Sequence, residues 1–308
     1  MRVVVLMSTY NGERFVRQQV ESILAQLPPH GRLIVRDDGS RDGTADLVEG
    51  FADARIVMHR GANLGFVRSF FALLALVPSG TEMVMLSDQD DVWLPHKIER
   101  AWAAIGPAGE LPTLYCSRLA LVSPELQPLG HSPTWPRPPG FQNALTENIV
   151  TGCTCALNPA ALRLLRDPGD AGRIFFHDWW FYLVVSAFGR VVYDPQPTIL
   201  YRQHGANAIG MGEGLARYAG IVRFLRKTNW VHICFDQIAN FRAVHGARLS
   251  AEQTRLLDRC FDPRHAASVA RLVFAPRRLR QTLAGDVLFR GLVLANVLTG
   301  RGLLPRRD

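Results

Sequence analysis

A chain of 308 residues, 48% hydrophobic and 20% charged, has room for one large domain or for one domain with an appendage, and its apolar fraction is ordinary for a soluble protein. Its formal net charge of +8 is unevenly spread: residues 211–308 carry 17 Lys/Arg against 7 Asp/Glu, whereas residues 1–210 carry 18 against 20. That bias points to an anionic membrane surface or an anionic partner, and with no RNA- or DNA-binding signature beside it nucleic acid ranks last.

The opening apolar run, Met1 to Met7, is cut short by Ser8-Thr9-Tyr10-Asn11-Gly12-Glu13, so it reads as a first strand and not as a signal-peptide core. Residues 2–7, 32–36, 55–58 and 82–87 read as short apolar strands alternating with helical patterns. Phe15, Gln19, Val20, Ile23, Leu24 and Leu27 form a helical stripe, and Phe66 to Leu76 a more buried helix. This βαβαβα order predicts an α/β protein with a doubly wound, mostly parallel sheet and right-handed crossovers. Four polar loops, Ser8–Glu13, Asp37–Ser40, Gly61–Gly65 and Asp88–Asp91, then fall on one sheet edge.

Residues 107–145 are rich in Pro and Gly, with one strand at Thr113 to Val122 and a long loop from Gly130 to Gly140 whose length marks it as functional or mobile. A strand-like stretch from Ile149 to Leu157, a short helix from Pro159, a helix from Asp178 to Phe188 and a hairpin-like pair at 191–193 and 198–201 follow. Beyond Gly214 the pattern is helical, so a boundary is expected near residue 210: a catalytic domain over 1–210 and a basic, mostly helical C-terminal region over 211–308. The apolar run Val287 to Leu298 is interrupted by Arg290 and too short to span a bilayer. Five cysteines, odd in number and without zinc-ligand spacing, read as reduced, mostly buried thiols of a cytoplasmic protein.

Chemistry concentrates in Asp88-Gln89-Asp90-Asp91, at the end of a buried strand, where ligands of parallel sheets bind. Three adjacent carboxylates raise one another's pKa unless a cation neutralises them, and a hard divalent ion with open positions can hold a diphosphate. The bland alternative is a helix cap, Asp90 or Asp91 receiving the amides of a helix from Val92 towards Trp102. Asp37-Asp38 sits where carboxylates accept from a base or ribose, against the alternative of a turn and an N-cap. Asn63, Gly65 and Arg68, at the start of the third helix, suit an anionic group, against a Gly turn with a surface Arg. No Gly-x-Gly-x-x-Gly follows strand one and no Walker-type Lys is present, which disfavours dinucleotide and ATP-type sites.

Taken in order, Ser8-Thr9-Tyr10-Asn11-Gly12, Asp37-Asp38-Gly39-Ser40, Asn63-x-Gly65, Asp88-Gln89-Asp90-Asp91-Val92-Trp93, His177-Asp178 and Tyr201-Arg202-Gln203-His204 resemble glycosyltransferase family 2 over residues 3–207. The fourth and last strings are most similar to its bacterial rhamnosyltransferase-like branch, which builds surface polysaccharide. The resemblance implies a GT-A fold, a nucleotide-sugar donor (dTDP- or UDP-linked), Mn²⁺ or Mg²⁺, and inversion at the anomeric carbon. It implies that Thr9, Tyr10 and Glu13 wall the nucleotide, that Asp38 with Asp37 meets the base, and that Asp88, Gln89 and Asp90 form the metal and donor motif. Asp178 would be the general base, its apolar helix keeping the carboxylate partly dehydrated. Arg202 would meet the diphosphate, His204 would ligate the metal or donate to the leaving phosphate, and Thr151-Gly152-Cys153 would line the acceptor side. Trp179 and Trp180 read as core before acceptor platform.

The expected function is inverting, metal-dependent transfer of a sugar, foremost L-rhamnose from dTDP-rhamnose, to a saccharide or lipid-linked acceptor. A UDP-hexose transferase and a silent nucleotide-binding partner of an assembly complex stand as alternatives; a nucleotidyl- or phosphotransferase would need a nucleophile or second metal cluster that the sequence lacks. Arg223, Arg226 and Lys227, beside Ile221, Val222, Phe224 and Leu225, and then Arg277, Arg278 and Arg280, suggest basic amphipathic turns for peripheral membrane contact, against a packed appendage or a homodimer surface.

Overall fold

The computed structural model describes residues 1–204 and 228–305. Its sheet contains β1 (Val3–Thr9), β2 (Arg32–Asp37), β3 (Ile56–Arg60), β4 (Met83–Ser87), β5 (Val92–Trp93), β6 (Thr113–Val122), β7 (Pro128–His131), β8 (Ala156–Leu157) and β9 (Arg190–Arg202). The strand order is β3-β2-β1-β4-β8-β6-β9-β5, with β7 paired to β6. β1 to β4 are mutually parallel, β8 runs against β4 and β6, and β9 is parallel to β6. The carboxyl ends of β1, β2, β3, β4 and β9 therefore share one edge, as the order of polar loops requires.

β1 shows why this sequence makes a covered sheet. Alternate residues enter opposite cores: Val3, Val5 and Met7 pack with α1 (Val16–Leu24) and with Ile98, Ala101 and Ile105, whereas Val4 and Leu6 join Phe70, Leu73 and Leu74. The remaining helices of this region are α2 (Thr44–Glu49), α3 (Phe66–Ala75), α4 (Lys97–Ile105), α5 (Phe141–Ala144), α6 (Pro159–Leu165) and α7 (His177–Phe188). Trp179 and Trp180 of α7 are fully buried, as core residues.

Three local expectations need correction. The segment after Asp91 is not helical at once: Val92–Trp93 pairs antiparallel with Leu200 and Ile199, and α4 starts only at Lys97, past Pro95 and a left-handed His96. The acid cluster is thus no helix cap. The pair at 191–193 and 198–201 is a single strand, β9, because Asp194-Pro195-Gln196-Pro197 bulges without reversing the chain and both halves stay parallel to β6. Residues 149–157 are mostly not strand, since Gly152–Thr154 forms a 3-10 turn before β8.

After the undescribed stretch come α8 (Trp230–His245), α9 (Ala251–Cys260), α10 (Ala266–Phe274) and α11 (Leu283–Leu298). They share one continuous core with the sheet, through Phe235, Phe241, Leu257, Leu272, Phe289 and Val293. The long loop is pinned to this region: Arg137 donates from its backbone to Gln281 Oε1 and from Nη1 to the carbonyls of Arg278 and Arg280. The boundary expected near residue 210 and the basic turn from Ile221 to Lys227 lie outside the described residues. All five cysteines are free thiols and four are buried.

Asp286 holds the start of α11. It is 3% exposed, accepts from the backbone of Leu279 (2.8 Å) and Arg280 (3.1 Å), and pairs with Arg290 at 2.8 Å. Asp286→Ala leaves a half-buried guanidinium and two amides uncompensated, so a loss of about 3 kcal/mol is expected in urea unfolding; an unchanged midpoint would show that this network contributes nothing.

Candidate active site

The loop after β1 is fastened to the loop after β4 by one side chain. Gln89 Oε1 accepts the Tyr10 N–H at 2.8 Å and Nε2 donates to the Tyr10 carbonyl at 3.0 Å. A Cβ at Gly12 would lie 2.2 Å from Gln89 Oε1, so a side chain there would push the Gln89 amide off the Tyr10 backbone. Asn11 and Ser40 link the same loop to the next one. Tyr10 is 47% exposed at the edge, and Glu13 receives the Gly43 amide at 3.1 Å.

Asp37 and Asp38 stand at the expected edge, but both carboxylates are turned to folding. Asp37 accepts from the hydroxyls of Thr9 (3.0 Å) and Ser40 (2.5 Å) and from the Ser40 amide. Asp38 is ion-paired with Arg36 and takes the amides of Leu64 (2.9 Å) and Gly65 (2.8 Å). A base would meet the rim that they shape. Asn63 closes a turn onto the Gly65 amide at 3.1 Å; Gly65, at φ 78°, faces open space, and Arg68 is exposed on the first turn of α3.

Asp88 and Asp90 reach solvent in part, whereas Asp91 is fully buried. Desolvation, then Asp90 and Asp178, push Asp88 up to about 7. Burial, then Asp90 and Asp88, push Asp91 well above the carboxylate range. One oxygen of Asp91 receives the backbone N–H of Arg202 at 3.1 Å, and the other is buried with no hydrogen-bond partner among the described residues. Arg202, expected at a diphosphate, is instead 1% exposed: Nη1 donates to the Asp90 carbonyl at 2.8 Å, Nη2 to Gln18, and the guanidinium lies over the Phe15 ring. It clamps the acid loop from behind. His204 Nε2 lies 2.8 Å from Asp90 Oδ2 with its ring stacked on Phe15.

Beneath the loop is a cation that periodicity alone did not reveal. Lys97 is fully buried, with Nζ 3.2 Å from Thr198 Oγ1 and 5.0 Å from the Trp93 ring centroid. Burial lowers its pKa to about 8, with Cys153, Cys155 and Asp91 opposing. The Cys153 thiol, its pKa pushed up by burial and by Asp91 and Asp88, lies within 4.8 Å of both carboxylates and has a single proton to offer them.

Asp178 opens α7 on the same cleft. It accepts from Asn148 Nδ2 and the Gly152 amide, both at 3.0 Å, so Gly152 positions this carboxylate. Burial raises its pKa to about 6 against those hydrogen bonds. Next to it, His177 is buried against Phe70 at 4.1 Å with neither ring nitrogen bonded, and burial depresses its pKa to about 3. A neutral imidazole leaves Asp178 to carry the charge.

The residues fit a hard divalent ion. Asp88 and Asp90 offer oxygens, His204 Nε2 already sits on Asp90, and the mutual repulsion of the acids is what such an ion would relieve. Asp88, Asp91 and Cys153 also converge, their donor atoms within 4.8 Å of one another. The protonated thiol makes that deeper group a hydrogen-bonded support, a poorer ligand set than the carboxylates at the surface.

The sequence pattern described as "Glycosyl transferase family 2" matches residues 4–163, which contain the Tyr10, Asp37-Asp38, Gly65 and Asp88–Asp91 loops. The chain belongs to glycosyltransferase family 2. It is a glycosyltransferase with a GT-A-like fold. It is similar to the dTDP-rhamnosyl transferase RfbG of Shigella flexneri, 27% identical over 253 residues that span 76% of this chain and 83% of that protein. It also resembles an Escherichia coli UDP-Glc:alpha-D-GlcNAc-diphosphoundecaprenol beta-1,3-glucosyltransferase, WfgD, at 30% over 97 residues, 32% of this chain and 38% of that one. The crystal structure of S. aureus TarS 1–349 with UDP-GlcNAc aligns at a TM-score of 0.56 and 16% identity, covering 97% of this glycosyltransferase and 92% of TarS 1–349.

Two measurements test the geometry. Gln89→Ala removes both bonds to the Tyr10 backbone and is expected to raise the nucleotide-donor Kd about tenfold with little change in melting temperature; unchanged donor affinity would count against the strap. Asp178 is protonated below its raised pKa, so if it serves as the base, activity would be present above about pH 6 and lost as pH falls. The pH profile of kcat/KM should therefore rise with a midpoint near 6, and a flat profile between pH 5 and pH 7 would refute this.

Proposed function

We propose that this glycosyltransferase inverts the anomeric centre of a nucleoside-diphosphate sugar, foremost dTDP-L-rhamnose, while transferring it to a saccharide or lipid-linked acceptor in bacterial surface polysaccharide synthesis. The observation that carries this reading is the pairing of two different carboxylate sites on one cleft. A repelling acid loop fits a divalent ion, and Asp178, raised to about 6 and felt electrostatically by Asp88, stands apart from it. The dTDP-rhamnosyl activity named for the S. flexneri relative supports the donor. The lipid-diphosphate acceptor named for the E. coli relative supports the acceptor class.

Asp88 and Asp90, with His204, would hold Mn²⁺ or Mg²⁺, which when bound neutralises charge on a diphosphate. Tyr10, Thr9, Glu13 and the Asp37-Asp38 rim would border the nucleotide, with Asn63, Gly65 and Arg68 beside it. Asp178 takes the proton of the acceptor hydroxyl as that oxygen bonds to the anomeric carbon. The bond from sugar to diphosphate breaks on the opposite face, and the nucleoside diphosphate leaves with the electron pair. Asn148 and the Trp179 amide hold one carboxylate oxygen and the Gly152 amide the other, a fixed setting in which the less engaged oxygen would receive the acceptor proton. A UDP-hexose remains the second donor, since no contact here separates thymine from uracil. A silent binding partner would not be expected to keep both Asp88 and Asp178.

The deciding assay is a panel of dTDP- and UDP-sugars with Mn²⁺ and a saccharide acceptor, following nucleotide release. Asp178→Asn is expected to lower acceptor-dependent release by at least about a thousandfold while donor binding persists. Retained release would remove Asp178 as the base, and failure of every nucleoside diphosphate sugar to bind with metal would remove the proposal altogether.

A further inference from the structure

Helix α11 turns apolar side chains outward as well as inward, where Phe289 and Val293 join the core. Its exposed positions include Leu283 (65%), Val287, Leu288, Leu294, Val297 and Leu298 (76%), and every other exposed position of the helix is alanine or glycine. Its polar residues point the other way: Asp286 and Asn296 are buried, Arg290 pairs with Asp286, and Asn296 accepts from Asn229 at 2.6 Å. A surface helix ordinarily shows the reverse arrangement, and a contiguous apolar face of this kind marks a docking surface.

Charge and length identify the occupant. Between Phe274 and Pro305 there are five arginines and one acid, the buried Asp286. The exposed Arg277 and Arg301 bracket the helix, and neither has an acidic partner among the described residues. Phe274, 77% exposed at the end of α10, lines a neighbouring groove of about 670 Å³ with Arg255, Arg259 and Arg271. Sixteen residues extend about 24 Å, and none of the described helices is long and apolar enough to cross a membrane. A second copy seated on this face would bring like-charged arginine rims together, whereas an anionic bilayer meets both the apolar face and the rim.

We propose that α11 is the membrane-docking element of this glycosyltransferase, lying in the plane of an anionic lipid surface with Val287, Leu288, Leu294 and Leu298 among the acyl chains and Arg277 and Arg301 at the headgroups. The surface deepens the lipid-linked acceptor reading but does not need it, because docking requires neither donor nor transfer.

The test is cosedimentation of the full chain with vesicles of mixed phosphatidylglycerol and phosphatidylcholine, and with phosphatidylcholine alone, beside sedimentation velocity without lipid. Wild type is expected to bind the anionic vesicles and to weaken in salt. Leu288→Glu with Leu294→Glu should reduce the partition coefficient by more than about a hundredfold. Arg277→Glu with Arg301→Glu should reduce it by roughly tenfold or more and abolish the salt dependence. All four positions are surface sites, and thermal unfolding of each variant is the check that it folds. Absence of binding by wild type, or undiminished binding by the leucine variant, overturns the proposal. So does a lipid-free dimer that the leucine variant turns into monomers. Failed sugar transfer with intact vesicle binding would count only against the acceptor reading, and efficient transfer without vesicle binding only against this one.

Discussion

Three carboxylates within four residues, one of them fully buried, impose the constraint around which this protein is arranged. Taken alone, Asp91 in its position would be costly, because desolvation and Asp90 and Asp88 all oppose its charge. The fold answers from several directions. The β9 backbone gives Asp91 an N–H, the Arg202 guanidinium holds the Asp90 carbonyl, Lys97 supplies a buried positive charge and Cys153 a thiol proton. The strand that delivers Arg202 pairs with β5, so the short stretch Val92–Trp93 belongs to the same clamp. Among the described residues, the outer pair, Asp88 and Asp90, has only the His204 ring and the Cys153 thiol beside its carboxylates, and there a divalent ion has reason to bind.

Much of this was legible in the sequence because it depends on local order. Apolar runs of five to seven residues followed by polar turns fix β1 to β4, and parallel strands must gather those turns at one edge. The desolvation of Asp178 was legible because a carboxylate opening an apolar helix is drawn partly out of water. Contacts between distant segments were not legible. Asp194-Pro195-Gln196-Pro197 looks like a reversal, and only pairing with β6 on both sides shows it to be a bulge. Lys97 reads as an ordinary polar residue until Trp93 and Thr198 enclose it. Gln89 and Arg202 carry side chains suited to a ligand, and nothing in their neighbours' spacing says that their partners are Tyr10, Gln18 and the Asp90 carbonyl. Likewise α11 has an apolar composition consistent with a core helix; which face is buried is decided by Asp286 and Asn296 through Leu279, Arg280 and Asn229, which lie outside the helix.

The C-terminal helices bear directly on the catalytic cleft. Trp179, one residue after Asp178, donates from Nε1 to the Ala144 carbonyl at 2.7 Å and stacks on Trp230 of α8 with ring centroids 4.7 Å apart. Asn229, which caps α8, is bonded to Asn296 of α11. A short chain of contacts thus runs from the apolar face of α11 through α8 to the helix that aims Asp178. The links are a stacked aromatic pair and a part-buried amide hydrogen bond, and they join the orientation of α11 to that of the cleft. If α11 rests on a bilayer, the sheet edge bearing Asp88 and Asp178 is held at a fixed attitude to that surface. An acceptor whose reactive sugar stands a set height above its lipid anchor would then reach Asp178 without a search in three dimensions. The same coupling explains why a basic appendage remote in sequence from the acid loop shares its core with the sheet instead of hanging on a linker: a tethered anchor would bring the enzyme to the membrane, but only a packed one can present the cleft in one orientation.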